Sequence, residues 1–532
     1  MDFRNLKFPK EEAESYLEPE KRMEFNRLFY QDSNYTKIQD PTTYFIIGDK
    51  GSGKTAYSVY YCNNMINNIL SKRYNVVVED YYKIIQMKDE GKLQYTHYIT
   101  LWKAALLLKI ISSIKEAEIS ALGGTTYKKI QDYLQKYNFT SITEDSFSPI
   151  SFLDNREMLN LIVGEVGETR LIKSQISGKI EQKETMGLER KSSVYYDIWT
   201  SFINEMVAYI ERLRLKNSHY LFVDGIDSRP PDIDPKDYQR CVYPLVRAVY
   251  EINHDIFSRI KDRKKGRLKI VLLTRLDIFM LSGLPNPDCK LNDNSVFLNW
   301  GITSEHDYQS SAIFSLVNKL IQVANPEPPS TFEDSWKTYF GFKIAQKDSF
   351  EYLLRRTASR PRDFVKILLT ANELCKRKRI TSPNKDILVS DEFMRAFSSY
   401  YVGMIKTGLK FYYNDNEINE LWSFLKSIKK RIVTYKELKD VYQGMLNYEK
   451  LQNNFGDLDK ILSLMFDNNM IGYIESDRVY RWKYKEISEA DFNYSLPPEA
   501  LLDNARLQFH PALEKEFGLY LGEVKIHKQT KQ

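Results

Sequence analysis

The sequence predicts an α/β fold: a parallel sheet with helices around it, then an all-helical segment and a small winged-helix unit. Three observations predict it. Short apolar runs alternate with segments of helical period as far as Trp300. A glycine-rich turn, Gly48–Thr55, joins the first run to the first helix. A helix, a strand, two helices and a hairpin then close the pattern across Asn416–Lys485.

The first apolar run, Tyr44–Ile47, reads as a buried strand ending in glycine, and a helix follows from Lys54 to about Leu70. Val76–Val78 is a second strand candidate, and His97–Ile114 has the period of a long helix covering the sheet. Ala121–Ser192 breaks this rhythm with polar stretches, the pair Gly123 and Gly124, and an alternation at Ile172, Ile176 and Ile180. It reads as an insertion or loop region, with a small strand pair as the alternative. Ile198, Trp199, Phe202, Ile203, Met206, Val207 and Ile210 then share one helical face. Two more buried strands, Tyr220–Val223 and Lys269–Leu273, flank a helix of about Tyr238–Ile260, which makes the sheet parallel. After Trp300 the pattern is helical to about Lys406, broken by the proline loop Asn325–Ser330.

At 532 residues the chain is too long for one compact core. The expected divisions are an N-terminal arm (1–40), a core (41–300) carrying the insertion at about 121–192, a helical lid (301–410), a winged-helix domain (411–490) and a C-terminal tail (491–532). With 42% hydrophobic and 28% charged residues it is globular in composition, and a net charge of +6 permits nucleic-acid contact without arguing for it. Cys62, Cys241, Cys289 and Cys375 lack CxxC spacing, which excludes the usual zinc patterns and fits a reducing compartment. The opening MDFRNLKFPKEEAESY has no apolar signal region, and Leu101–Ile114, with Lys103 and Lys109, is too short to span a bilayer. The expectation is a soluble cytoplasmic protein with no membrane partner.

Gly48, Asp49, Lys50, Gly51, Ser52, Gly53, Lys54 and Thr55 fit the phosphate-binding pattern GxxxxGK[ST] without mismatch, and Ala56 continues into the helix. Glycines let the backbone wrap an anion with its N–H groups pointing inward. Lys54 would reach the β- and γ-phosphates of ATP, Thr55 would take a position on Mg²⁺, and the helix start adds its positive dipole end. The fold class is therefore that of a P-loop NTPase. Such a site needs a carboxylate at the end of a neighbouring strand, and Tyr220-Leu-Phe-Val-Asp224-Gly-Ile-Asp227 supplies one. Asp224 would orient Mg²⁺, and Asp227 would position or deprotonate the attacking water. An ordinary aspartate-rich strand exit is the alternative. The next strand ends in Thr274 and Arg275, whose guanidinium would read the γ-phosphate unless it is a surface arginine.

GDKGSGKT, FVDGID, LLTR and the later SRPRD together resemble the STAND and AAA+ branch of P-loop ATPases, with a lid and winged helix similar to the Orc/Cdc6 arrangement. NSVFLNW before the lid also resembles uncharacterised bacterial P-loop ATPases labelled FunZ. The resemblance spans most of Tyr44–Lys485 and implies ATP, Mg²⁺ and turnover, with a second sensor arginine at Arg360 or, preferably, Arg362. A helix-start salt bridge is the competing role for that arginine. Ser228 departs from the STAND pattern, which places an acid there, and so the base and the hydrolysis rate stay open.

Thr434-Tyr-Lys-Glu437 is a capping box after a short strand, Arg431–Val433; a helix over about Asp457–Asn468 precedes a hairpin of Met470–Ile474 and Val479–Tyr484. The candidate recognition helix offers Lys460 against Asp457, Asp459 and Asp467, which argues against docking in a DNA groove. Arg478, Arg481, Lys483 and Lys485 make the wing basic, either as a phosphate contact or as the outward face of a ribbon. Arg259–Lys269 is the densest basic run, a solvated helix end or a partner surface. His510 reads as a packing or capping residue.

Two functions follow. The first is an ATP-binding and ATP-hydrolysing switch that works with a partner protein or as a homo-oligomer, and the STAND resemblance suggests bacterial antiphage defence. The second is a nucleic-acid-binding ATPase of the replication-initiator or mobile-element type.

Overall fold

The computed structural model describes residues 2–136, 148–154, 188–260, 266–302, 305–325, 334–476, 479–487 and 491–520. It divides into two compact units: Ala13–Asp49 with Lys54–Leu298, and Met1–Glu12 with Lys50–Gly53 and Asn299–Gln532. The segment read as an arm is thus shared between the two.

The sheet unit holds five strands: β1 Phe45–Ile47, β2 Ile69–Asn75, β3 Ser218–Asp224, β4 Leu268–Thr274 and β5 Ser295–Phe297. They run in the order β2-β3-β4-β1-β5, and every pairing is parallel. β1 and β4 are buried at every residue and β3 at all but its first, which is why these three read as unbroken apolar runs. The chain leaves β1 for the β2 edge and leaves β4 for the β5 edge. Such a reversal opens a crevice outside the carboxyl ends of the strands. β4 separates β1 from β3, so the acid-bearing strand is not the neighbour of β1 that the sequence reading required.

The expected second strand is displaced. The helix after β1 spans Lys54–Asn63 and stops short of Leu70. Asn67 and Asn68, both in the left-handed region (φ 47° and 60°), turn the chain into β2. As an edge strand β2 keeps Ser71, Lys72, Arg73 and Asn75 among its seven residues, so no buried run marked it. Val78, read as strand, opens the helix Val78–Asp89. β5 is three residues long and escaped notice.

The helix Tyr98–Ser112 was expected to cover the sheet. It does lie against β3, and it is also buried nearly all round, with Leu101, Trp102, Ala104, Ala105 and Leu108 among its enclosed residues. It packs against the helices Leu188–Ile210 and Pro235–Glu251, and Trp102 Nε1 donates to Cys241 O at 2.8 Å. A helix apolar on every face belongs inside. Of the insertion, the helices Gly124–Lys136 and Pro149–Leu153 are described, whereas Ile172, Ile176 and Ile180 lie outside the described residues. In the basic run, residues 261–265 lie outside too, and Lys269 is not solvated. Its Nζ donates to Ile38 O (2.6 Å) and Asp40 O (2.8 Å) and lies 4.0 Å from the centre of the Tyr220 ring. Burial pushes this amine well below its ordinary pKa.

The second unit begins with the helices Ala312–Ala324, Asp334–Phe340, Ser349–Leu354, Pro361–Lys378 and Asp391–Leu409. Residues 326–330 of the proline loop lie outside the described residues. A hairpin, Lys343–Ile344 with Lys347–Asp348, interrupts the helices, turned by Ala345 and Gln346 at positive φ. Phe3 is fully buried beside Phe8, Tyr339 and Phe340, and Asn372 Nδ2 donates to Phe3 O at 2.6 Å.

The helix Asp415–Ser427 opens the C-terminal part, followed by β6 Ile432–Thr434, Tyr435–Gln443, Tyr448–Phe455, Leu458–Asp467, β7 Ile471–Ser476 and β8 Val479–Arg481. The Thr434 cap is as expected: Glu437 N–H donates to Thr434 Oγ1 (3.2 Å), and Thr434 N–H donates to Glu437 Oε2 (2.8 Å). The sequence missed a fourth strand, β9 Arg506–Phe509, which inserts between β6 and β7 to give the antiparallel order β8-β7-β9-β6. The segment read as a tail therefore completes this sheet. Lys483–Glu486 is a helical turn rather than strand. Among the described residues no helix is long and apolar enough to cross a membrane.

Candidate functional site

Gly48, Asp49, Lys54 and Thr55 cluster with the acids where β1, β3 and β4 end. Gly51 and Gly53 have φ of +88° and +100°, the left-handed region that L side chains avoid. At Gly51 space is also short: an added Cβ would stand 3.1 Å from Arg362 Cβ. At Gly53 nothing lies within 4 Å, so the backbone angle alone selects glycine.

Lys54 is buried and curls back over the turn, its Nζ donating to Gly48 O (2.8 Å) and Asp49 O (3.2 Å). Asp227 Oδ2 is 3.7 Å from the same nitrogen. Thr55 Oγ1 donates to Asp224 Oδ2 at 2.8 Å, a bond between residues 169 positions apart. The helix start and the end of β3 thus meet although a strand separates β1 from β3. Gly225 N–H donates to Asp224 Oδ1 at 2.8 Å.

One member of this group had no signal in the sequence. Arg73, on β2, donates from Nη2 to Asp224 Oδ2 at 3.0 Å and also pairs with Glu14. Burial acts to lower its pKa, but the charges of Asp224 and Glu14 outweigh that and hold it above the ordinary value. A lysine–arginine pair in a polar edge strand looks like surface until β2 is set beside β3, with Asn75 opposite Asp224.

Arg275 is buried at the end of β4 and grips Asp277 in a fork, Nε to Oδ1 at 3.0 Å and Nη2 to Oδ2 at 2.5 Å. It is not the surface arginine of the alternative reading. Burial holds the Tyr238 phenol above its ordinary pKa, with Asp227 adding to the rise and Arg275 opposing it, and its hydroxyl donates to Ile226 O at 3.1 Å.

The turn's middle residues, Lys50–Gly53, have partners within the second unit. Trp300 Nε1 donates to Ser52 O at 2.8 Å, which gives the tryptophan of NSVFLNW a definite role. Arg362 N–H donates to Gly51 O (3.3 Å) and its Nε to Glu11 O (3.3 Å). Arg360 Nη1 lies 3.5 Å from Lys50 O, and its Nε bonds Asp363 Oδ2 at 3.2 Å. The helix-start salt bridge therefore belongs to Arg360, and the Arg362 guanidinium is on a carbonyl.

The donor set suits a polyphosphate and a hard cation. Ser52 Oγ is buried in the turn without a hydrogen-bond partner, and Thr55 with Asp224 offers oxygen ligands of the kind Mg²⁺ takes. Ala56 is half-buried in the first helical turn.

Among the described wing residues, Arg481 and Lys483 have acidic partners. Arg481 bonds Glu475 through Nε (2.9 Å) and Glu486 through Nη1 (3.2 Å), and Lys483 lies 3.3 Å from Asp467; Arg478 is outside the described residues. His510 is fully buried, stacked on Tyr401 at 4.6 Å, and its Nδ1 accepts from Ala512 N–H at 3.2 Å. That is the packing and capping role expected of it.

Residues 311–403 match the family described as FunZ-associated C-terminal helical domain. This stretch runs from the start of the helix Ala312–Ala324 nearly to the end of Asp391–Leu409 and includes Arg360 and Arg362. Compared with curated proteins and with solved structures, the chain matches none.

Proposed function

We propose that the chain is an ATP-binding P-loop ATPase of the STAND or AAA+ kind, acting as a nucleotide-dependent switch. The observation that carries this reading is the bond from Thr55 Oγ1 to Asp224 Oδ2, formed beside Lys54 in a turn whose two glycines have left-handed backbone angles.

The backbone N–H groups of Gly51–Thr55 would bind the β-phosphate, with the Ser52 hydroxyl as a further donor. Lys54 would leave the carbonyls of Gly48 and Asp49 for phosphate oxygens, a stronger charge-assisted bond. Thr55 and Asp224 would hold Mg²⁺, which when bound supplies neutralisation of phosphate charge. Asp227, beside Lys54, would orient water, and Arg275 would face the γ-phosphate from β4 after loosening its hold on Asp277. An anion on the loop amides would bias the bonds that Arg360 and Arg362 make to Lys50 O and Gly51 O.

Lys54→Ala is expected to abolish binding of labelled ATP while leaving the far-UV dichroism unchanged. Wild-type affinity in a folded variant would refute the assignment. The nucleic-acid reading has less support, since Arg481 and Lys483 already bond acids. A defence role rests on resemblance and is tested by phage challenge of a bacterial host expressing the wild type or Lys54→Ala.

A further inference from the structure

We propose that the edge of β2, which no other strand covers among the described residues, docks an extended acidic peptide, which adds to the sheet as a further strand. The inference is independent of the nucleotide reading.

β2 ends the sheet order. Val76 N–H donates to Asp224 O and Ser218 N–H donates to Asn68 O, so the even-numbered residues of this stretch turn their backbone toward β3. The strand's period of two then turns the N–H and C=O of Ser71, Arg73 and Asn75 outward. The bridge Ile66–Ile69 covers only the start of the edge. Unpaired edge groups of this kind template another strand.

Two cavities follow the same edge, of about 300 Å³ and about 230 Å³. Both are lined by Cys62, Asn63, Ser71 and Lys72, which makes them one groove with two basins. Alternate side chains of an added strand would enter such basins while its backbone pairs with β2. Ser71 Oγ and Arg73 Nε are both buried here without a hydrogen-bond partner, and the Arg73 side chain is only 9% exposed.

Charge selects the occupant. Arg22, Lys72 and Lys115 line the two basins with Glu118 as the acid among the described lining residues, while Arg73, also in the lining, is already paired with Asp224 and Glu14. A second copy of this edge would bring the exposed Lys72 near a like charge, which is unfavourable across strands. Nucleic acid would meet the cations but leave the outward peptide groups unmatched. An extended chain with Asp or Glu alternating with apolar residues satisfies both.

The test is selection of random decapeptides displayed on phage against the full-length protein, followed by fluorescence anisotropy with the synthetic winners. Winners are expected to alternate acidic and apolar residues. They should bind at least about tenfold more weakly to Ser71→Pro, which removes one outward N–H, and to Lys72→Glu, as loss of one strong hydrogen bond or ion pair predicts. Methylation of alternate peptide amides should weaken binding by a similar factor. Lys72 is exposed, so its variant keeps the fold, which dichroism checks. Failure to select any binder, winners without acidic bias, unchanged affinity for both variants, or equal competition by decathymidylate would each overturn the proposal.

Discussion

Asp224 receives three donors, Thr55 Oγ1, the Gly225 N–H and Arg73 Nη2, and is itself buried. A buried carboxylate stripped of its cation is left uncompensated. Arg73→Ala is therefore expected to destabilise the sheet unit by about 3 kcal/mol, read as a lowered urea midpoint. His510 gives the second prediction at this scale. Burial, with Arg360, Lys485 and Arg356 nearby, depresses its pKa from 6.5 to about 3. The folded state therefore favours the neutral ring: this contribution is complete above pH 6.5 and is lost progressively as pH falls toward 3. Wild type should lose up to about 1.4 kcal/mol per pH unit below 6.5 relative to His510→Gln, measured by urea unfolding at a series of pH values.

Elements were legible in proportion to their burial. β3 and β4 were found because every neighbour encloses them, so their apolar runs are continuous. β2 was misplaced because an edge strand keeps lysine, arginine and asparagine, and a valine run that looked like strand opens a helix. The helix Tyr435–Gln443 was found through its cap, a local feature that needs no tertiary partner. Thr434→Ala should lower stability by about 1 kcal/mol, measurable as a shift in urea midpoint, whereas Thr434→Ser should retain most of it. β9 left no comparable sign: Arg506–Phe509 becomes strand only because the edges of β6 and β7 are there to receive it.

At the scale of the molecule, the chain builds each of its two units from pieces distant in sequence. Residues 1–12 belong with the helical unit, anchored by Phe3 and by the bond from Asn372. Deleting residues 2–12 should raise amide exchange in the helix Pro361–Lys378 and leave β3 and β4 protected, because a lost buried phenylalanine removes about 3 kcal/mol of packing from the helical unit alone. Equal exchange in both units would contradict that division. The turn Gly48–Thr55, the acids after β3 and the parallel sheet were determined by the sequence itself, since each follows from residue type and period over a few positions. What only the tertiary structure decided are contacts between residues far apart in the chain: Thr55 with Asp224 across an intervening strand, Arg73 on the same carboxylate, Trp300 on Ser52, and β9 in the C-terminal sheet. No local pattern encodes a partner many residues away; packing chooses it.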